Sequence, residues 1–323
     1  MPAALPLAGR TAFITGGSRG IGLEIGHALA ALGSNIVIAA KTASPHPKLP
    51  GTIYTACDEI AAAAAAAGSS AVAHPVQLDI RDAAAVEAAV DAAASKFGGL
   101  DVVVNNASAI SMVPTHEAAV KSYDLMNGIN SRGSWLVSRF ALPHLLEAAA
   151  KGRNPHIVTL SPPLTYNTLS TTPPSASSTA LPPMFPTQLA HTASAYTIAK
   201  FGMSLLTLGL AAETHAKVAV NSLWPYTLIA TSAMKIVSKD AAVQERTWRS
   251  PTIVAEATAR LVQEDAASFT GQFLVDELYL HDKGLTLDEI RRFNVDESTP
   301  LDELAEDLYI SQELRDAIQA SRK

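Results

Sequence analysis

Cysteine is nearly missing from the chain: Cys57 is the single one among 323 residues. An internal disulfide is excluded, and a reducing compartment fits. The nine histidines are scattered, and no His/Cys cluster stands at ligand spacing, so no metal is expected. Lys/Arg-rich runs are missing too. With a formal net charge of −6, sequence-independent binding of nucleic-acid phosphates is not expected. No apolar run free of Gly, Asn or charge reaches the roughly 20 residues of a membrane span. The opening MPAALPLAGR lacks the pattern of a secretory signal. The final Ala320-Ser321-Arg322-Lys323 matches no peroxisomal tripeptide. A cytoplasmic enzyme is the expectation.

What is present is a 48% hydrophobic composition arranged in alternation. Short Val/Ile/Leu runs at Thr11–Thr15, Asn35–Ala40, Ala71–Gln77, Leu100–Asn105, His156–Leu160, Val218–Leu223 and Gln272–Val275 read as strands. Between them lie helical segments: Arg19–Leu32 closed by Gly33, the Ala-rich Glu59–Ala67, and Asp82–Lys96 with Asp82 as cap. Further helices are expected over about Val120–Ala149, Ala195–Glu213 and Thr252–Gln263. Continuous apolar strands separated by helices predict an α/β fold, a Rossmann-like doubly wound parallel sheet of about seven strands covered on both faces. Ligands bind such sheets beyond the carboxyl ends of the strands. The domain is expected over 1–282, with a Pro/Ser/Thr-rich loop at about 161–192 on the substrate side. Residues 283–323 read as an acidic C-terminal extension, solvated or docked on a partner.

Chemistry enters at the first strand, which leads into Thr15-Gly16-Gly17-Ser18-Arg19-Gly20-Ile21-Gly22. A glycine-rich turn between a strand and a helix lets backbone N–H groups meet a pyrophosphate at the positive helix end. After the second strand, where a carboxylate would hold an unphosphorylated ribose, stands Lys41; with Arg19 it favours NADP(H) over NAD(H). Asp79 follows the third strand, placed to meet an adenine amine, and Asn105-Asn106-Ala107-Ser108 ends the fourth. Taken singly, these are also ordinary turn residues. Tyr196 and Lys200 stand four apart on one helix face. A phenol with a pKa of about 10 becomes a usable proton carrier when a neighbouring ammonium lowers it. Tyr279 and Lys283 share this spacing, but only the first pair follows the fifth strand in cleft-facing order.

TGGSRGIG, NNAS, Asn130, Tyr196 and Lys200 occur in the order found in short-chain dehydrogenases/reductases, and the chain resembles that family over about residues 8–280. KTASPHPKLPGTIYTACDEI, NNASAIS, LSPPL, AYTIAKFGMS and NSLWP resemble its hydroxysteroid dehydrogenase-like branch. The resemblance implies that Gly16, Ser18, Arg19, Gly20, Ile21, Gly22, Lys41, Asp79 and Asn106 hold the cofactor. It implies Tyr196 as general acid/base, with Lys200 on the nicotinamide ribose and lowering the Tyr pKa. Asn130 would sit at a helix distortion and hold a relaying water. The Trp224-Pro225 turn and Thr227 would flank the nicotinamide, and helices packing between subunits would make a homodimer or homotetramer.

The chain departs from the family where the catalytic Ser should stand, since the Ser-Ser pair reads Ser161-Pro162. Proline donates nothing, so the hydroxyl comes from Ser161 one position earlier or from elsewhere, Thr165 and Tyr166 being near in sequence. The tail is too short for the lipid-carrier domain found in some of that branch. Met126 and Met203 read as helix core, while Met112, Met234, Met184 and Phe185 are candidates to line an apolar pocket. The expected function is NADP(H)-dependent interconversion of a small hydrophobic carbonyl and its alcohol. An enoyl reductase, which needs no Ser-polarised ketone, and a non-catalytic cofactor-binding protein are the rivals.

Overall fold

The computed structural model describes residues 5–47, 49–164, 193–238 and 240–323. The strands are β1 (Thr11–Thr15), β2 (Asn35–Ala40), β3 (Ala73–Gln77), β4 (Val102–Asn105), β5 (His156–Leu160), β6 (Ala219–Trp224) and β7 (Phe273–Val275). They form one seven-stranded sheet of order β3-β2-β1-β4-β5-β6-β7, and every neighbouring pair is parallel. Pro75 is tolerated because β3 is an edge strand. The order reverses between β1 and β4, so the crevice beyond their carboxyl ends is where this topology leaves room for a ligand.

The helices are α1 (Gly20–Ala31), α2 (Ile53–Ala66), α3 (Ala83–Phe97), α4 (Val120–Met126), α5 (Ser134–Ala150) and α6 (Ser194–Glu213). They continue with α7 (Ser232–Val237), α8 (Ala241–Gln244), α9 (Thr252–Leu261), α10 (Asp276–Asp282), α11 (Leu287–Arg291) and α12 (Gln312–Ser321). Strand side chains alternate between two cores: Ala12, Ile14, Ile36 and Ile38 pack with α1, α2 and α9, whereas Phe13, Val37 and Ala39 pack with α3 and α5. Helix α6 is long and apolar enough to cross a membrane. Half of its most apolar stretch is buried, and it packs on β5 and β6, as a core helix does.

Two helices differ most from the sequence expectation. Helix α2 starts at Ile53 rather than Glu59, because Thr52 and Thr55 form a reciprocal capping box (Thr55 N–H to Thr52 Oγ1, 3.1 Å; Thr52 N–H to Thr55 Oγ1, 2.8 Å). The single helix expected over Val120–Ala149 widens into a π-helical stretch at Asn127–Gly133, between α4 and α5. Such wide turns often mark functional sites.

The largest difference is the tail. It is neither solvated nor left for a partner: Ile290, Tyr309, Ile310 and Ile318 are buried in the body of the domain. Charge pairing holds it there. The Arg249 Nη1–H donates to Glu277 Oε2 (2.6 Å), and Arg322 near the chain's end donates to both Glu277 oxygens (2.6 and 2.9 Å). Acidic composition concealed this, because the charges alternate with apolar residues that only the folded domain can bury.

Candidate active site

Thr15 at the end of β1 and Asn106 after β4 tie the two sides of the crevice together. Asn106 Nδ2–H donates to Thr15 O (2.8 Å) and Gly16 O (3.1 Å), and Thr15 Oγ1 accepts from the Asn106 and Ala107 amides (each 3.1 Å). This leaves no space for a side chain at Gly16 or Gly22. A Cβ on Gly22 would lie 2.5 Å from Asn106 Nδ2, and Gly16, with φ +68°, would meet the Ala107 Cα at 2.8 Å. The result is a groove of about 330 Å³ whose walls include Gly16, Ser18, Arg19, Gly20, Ile21 and Lys41. Its backbone passes close under any ligand at the start of α1, and its donor set suits a pyrophosphate.

The remaining expected groove residues are placed differently. Asp79 does not line the groove. Its carboxylate takes Arg81 (Nη2 to Oδ2, 2.6 Å) and lies 3.2 Å from Lys41 Nζ, and Arg81's hydrogen bonds hold it well below the usual carboxylate range. Arg19 lines the groove, but its guanidinium donates to Pro50 O (2.7 Å) and Gly51 O (2.8 Å). Thr227 does not line the groove; it is fully buried and pairs with Glu306 of the tail as an isolated antiparallel bridge. Thr231, which the motif reading passed over, lines the groove.

The groove opens into a second cavity of about 410 Å³, predominantly apolar. Ile110, Met112, Leu160, Trp224, Leu228 and Met234 contribute its apolar wall, and Tyr196, Lys200 and Ser108 its polar one. Ile21, Asn106, Ser108, Thr231 and Ala233 belong to both spaces. Met112 and Met234 thus stand where the sequence reading allowed, Met126 and Met203 are core, and Met184 and Phe185 lie outside the described residues. Cys57 is buried, its thiol pushed up to about 12 by that burial, and is inert.

Tyr196 and Lys200 are both buried on α6. Lys200 Nζ donates to Leu160 O (2.8 Å) and sits over the Trp224 ring at 5.1 Å; burial lowers its pKa to about 8. The expected lowering of the phenol by this ammonium does not occur in the chain alone. Burial raises Tyr196 well above its ordinary value, Asp307 and Tyr309 add to the rise, and the Ser108 hydroxyl pulls it back. Asn130, fully buried in the π-helical turn, clamps the loop after β4: its Oδ1 accepts from Ala109 N–H (2.8 Å) and its Nδ2–H donates to Ala109 O (3.0 Å).

Ser161 does not line the cavity. It is fully buried, and its Oγ is 3.0 Å from Ser222 Oγ, which in turn donates to Ser161 O (2.7 Å). Thr165 and Tyr166 lie outside the described residues. The second Tyr/Lys pair is indeed elsewhere: Tyr279 and Lys283 both engage Glu264.

The tail adds groups that no motif announced. The Trp224 indole N–H donates to Leu308 O (2.8 Å), and Tyr309 packs edge-on against Phe201 at 5.1 Å. Asp307 lines the cavity, accepts only the Leu308 amide (2.6 Å) among its described hydrogen bonds, and is raised to about 7 by burial. The neighbouring Glu306 is held by Arg315 and Tyr226.

The model of the short chain dehydrogenase family matches residues 10–182. The chain belongs to the short-chain dehydrogenase family. It is an oxidoreductase by that membership, and the family works with nicotinamide cofactors. It is 44% identical over 97% of its length to hydroxysteroid dehydrogenase-like protein 2 of Danio rerio, of which it spans 66%. A solved short chain dehydrogenase from Mycobacterium thermoresistibile is 39% identical, with a TM-score of 0.77, over 94% of this chain and 96% of that one. A short chain dehydrogenase from Burkholderia cenocepacia in complex with NADP is 25% identical, with a TM-score of 0.63, over 84% of this chain and 97% of that one.

Proposed function

We propose that this family member is an NADP(H)-dependent reductase of a small apolar carbonyl compound, with Tyr196 as the general acid/base. One observation carries the reading: a buried Tyr196–Lys200 pair stands in an apolar cavity that opens directly onto the glycine-rich groove. The groove residues Gly16, Ser18, Gly20 and Ile21 would hold the cofactor, and Lys200 would bind its ribose. When bound, the nicotinamide supplies the hydride. A phenol raised by burial is protonated at neutral pH, so Tyr196 is poised to give its proton to the substrate oxygen as charge builds there. Lys200 remains an ammonium below about 8 and brings positive charge to the same polar wall of the cavity. The apolar wall selects a neutral, hydrophobic substrate and keeps water from the reacting atoms.

The phosphate preference rests on Lys41, exposed at the end of β2, with Arg19 beside it. Pairing with Asp79 at the surface weakens Lys41 little, and a phosphate oxygen can share it.

The test is NADPH oxidation with a panel of apolar ketones, aldehydes and enoyl thioesters, run beside Tyr196→Phe. Ketone or aldehyde turnover that falls at least about 100-fold in the variant is the expected result. Consumption of enoyl thioesters alone, which the donor-free Pro162 would permit, replaces the reading with a carbon–carbon double-bond reductase. Tight NADPH binding without turnover of any compound would leave a non-catalytic binding protein.

A further inference from the structure

A carbonyl oxygen that gains charge during reduction is best met by two donors, and the segment just after β5, Ser161-Pro162, offers none beside Tyr196. Pro162 has no N–H or O–H, and Ser161 spends its hydroxyl on Ser222. The opposite wall of the cavity, after β4, does offer a hydroxyl. We infer that Ser108 is the second hydroxyl donor at the reacting oxygen, replacing from the β4 side the group that Pro162 removes from the β5 side.

Four observations support this. Ser108 lines both the cofactor groove and the apolar cavity, so its side chain stands at their junction, where the reacting atoms must meet. Its hydroxyl interacts with the Tyr196 hydroxyl, so an oxygen reaching one reaches the other. The residue is exposed, and besides Tyr196 its described partner is Ala109 O in a long contact of 3.5 Å, which leaves the O–H able to turn to a substrate. Its backbone does not share that freedom. The Ala107 amide is fixed on Thr15 Oγ1 and both polar groups of Ala109 are fixed on Asn130, so Ser108 is held between two anchors. A donor aimed in advance at the position of developing charge stabilises a transition state without having to reorganise.

The step is balanced by groups already named. The cofactor would supply a hydride to the carbonyl carbon, the oxygen would take the Tyr196 proton, and Ser108 would lend a hydrogen bond with no net transfer. The same bond steadies the Tyr196 phenolate, in line with the direction in which Ser108 moves that phenol's pKa. This role rests on the carbonyl-reductase reading above.

Ser108→Ala and Ser108→Thr, compared with the wild-type protein on the best carbonyl of the panel, test it. The expected result is a fall in kcat of about 100-fold for Ser108→Ala, as for removal of one donor from an oxyanion site. NADPH affinity by fluorescence titration stays within twofold, and the kcat–pH profile limb belonging to Tyr196 moves to higher pH. Ser108→Thr, which keeps the hydroxyl, stays within about tenfold of wild type. A Ser108→Ala enzyme that keeps kcat within a few-fold overturns the inference while leaving the reductase reading intact. So does a loss that is matched by lost NADPH affinity, since Ser108 then merely shapes the groove. A wild-type protein that reduces no carbonyl overturns the reading and this inference together.

Discussion

The cofactor side and the substrate side of the cleft are built by different means. On the cofactor side one short stretch carries the loop: Gly16, Ser18, Arg19, Gly20 and Ile21 line the groove, segments after β2 and β4 and at the start of α7 complete it, and Asn106 ties the loop to β4 through Thr15 and Gly16. On the substrate side Lys200 is bonded to Leu160, Trp224 to Leu308, and Tyr226 to Asp276, so each wall depends on a segment 40 or more residues away. The first side is a local device that any chain with this motif can carry. The second draws on a remote segment, because the chain's tail supplies Glu306, Asp307 and Leu308 to the cavity. A family can thus keep one cofactor and change substrates.

If the two sides are separable, each should fail alone. The strongest challenge is Glu277→Ala, which leaves Arg249 fully buried without its carboxylate and unties Arg322. Breaking such a buried pair costs about 3–5 kcal/mol, read as a lower urea midpoint. Carbonyl turnover should drop further than NADPH affinity does, and parallel losses would mean that the tail supports the whole cleft. Gly22→Ala strikes the other side. Its new methyl would displace Asn106 from the loop, costing about 1–3 kcal/mol of overpacking. NADPH affinity should weaken at least about tenfold while the tail stays folded, monitored by protection of the Trp224 indole N–H from hydrogen exchange.

The smallest effect concerns Asp307 and has a defined sign. Its pKa is raised to about 7, above the ordinary carboxylate value near 4. Between about pH 4 and 7 the folded protein therefore holds more protons than the unfolded chain, and stability falls as pH rises through that window. Asp307→Asn should flatten this slope and stabilise the protein by about 1–2 kcal/mol at pH 8, a modest figure because the carboxylate opens onto the cavity. Asp276, raised to about 6, keeps part of the slope in the variant. A steeper or unchanged pH dependence of the melting temperature would place the Asp307 charge in a compensated environment. The substrate side would then lack the strained carboxylate that distinguishes it here.

Much of the fold was legible because its signals are local. Seven apolar runs of strand length, spaced by helical segments, lead to a parallel sheet; Asp82, Gly33 and the Ala-rich stretches mark helices through caps and propensity alone. The start of α2 was missed because a Thr-x-x-Thr box is a weaker pattern than the poly-Ala that follows it. Ser108 was quoted within a motif yet not assigned a role, since only its proximity to Tyr196 across the cleft makes it chemical. Thr231 and Asp307 carried no signal at all, being single polar residues in segments without a motif.

From the sequence alone came the glycine loop, the Tyr196–Lys200 spacing and the absence of a donor at Pro162, because these depend on covalent spacing and on what each side chain contains. The tertiary structure decided where the hydroxyls point and what the tail does. Ser161 turned to Ser222, Ser108 to Tyr196, and the acidic tail folded over the cavity. Those outcomes hinge on burial and on partners distant in the chain, and a charged residue's cost or use is set only once the fold fixes what surrounds it.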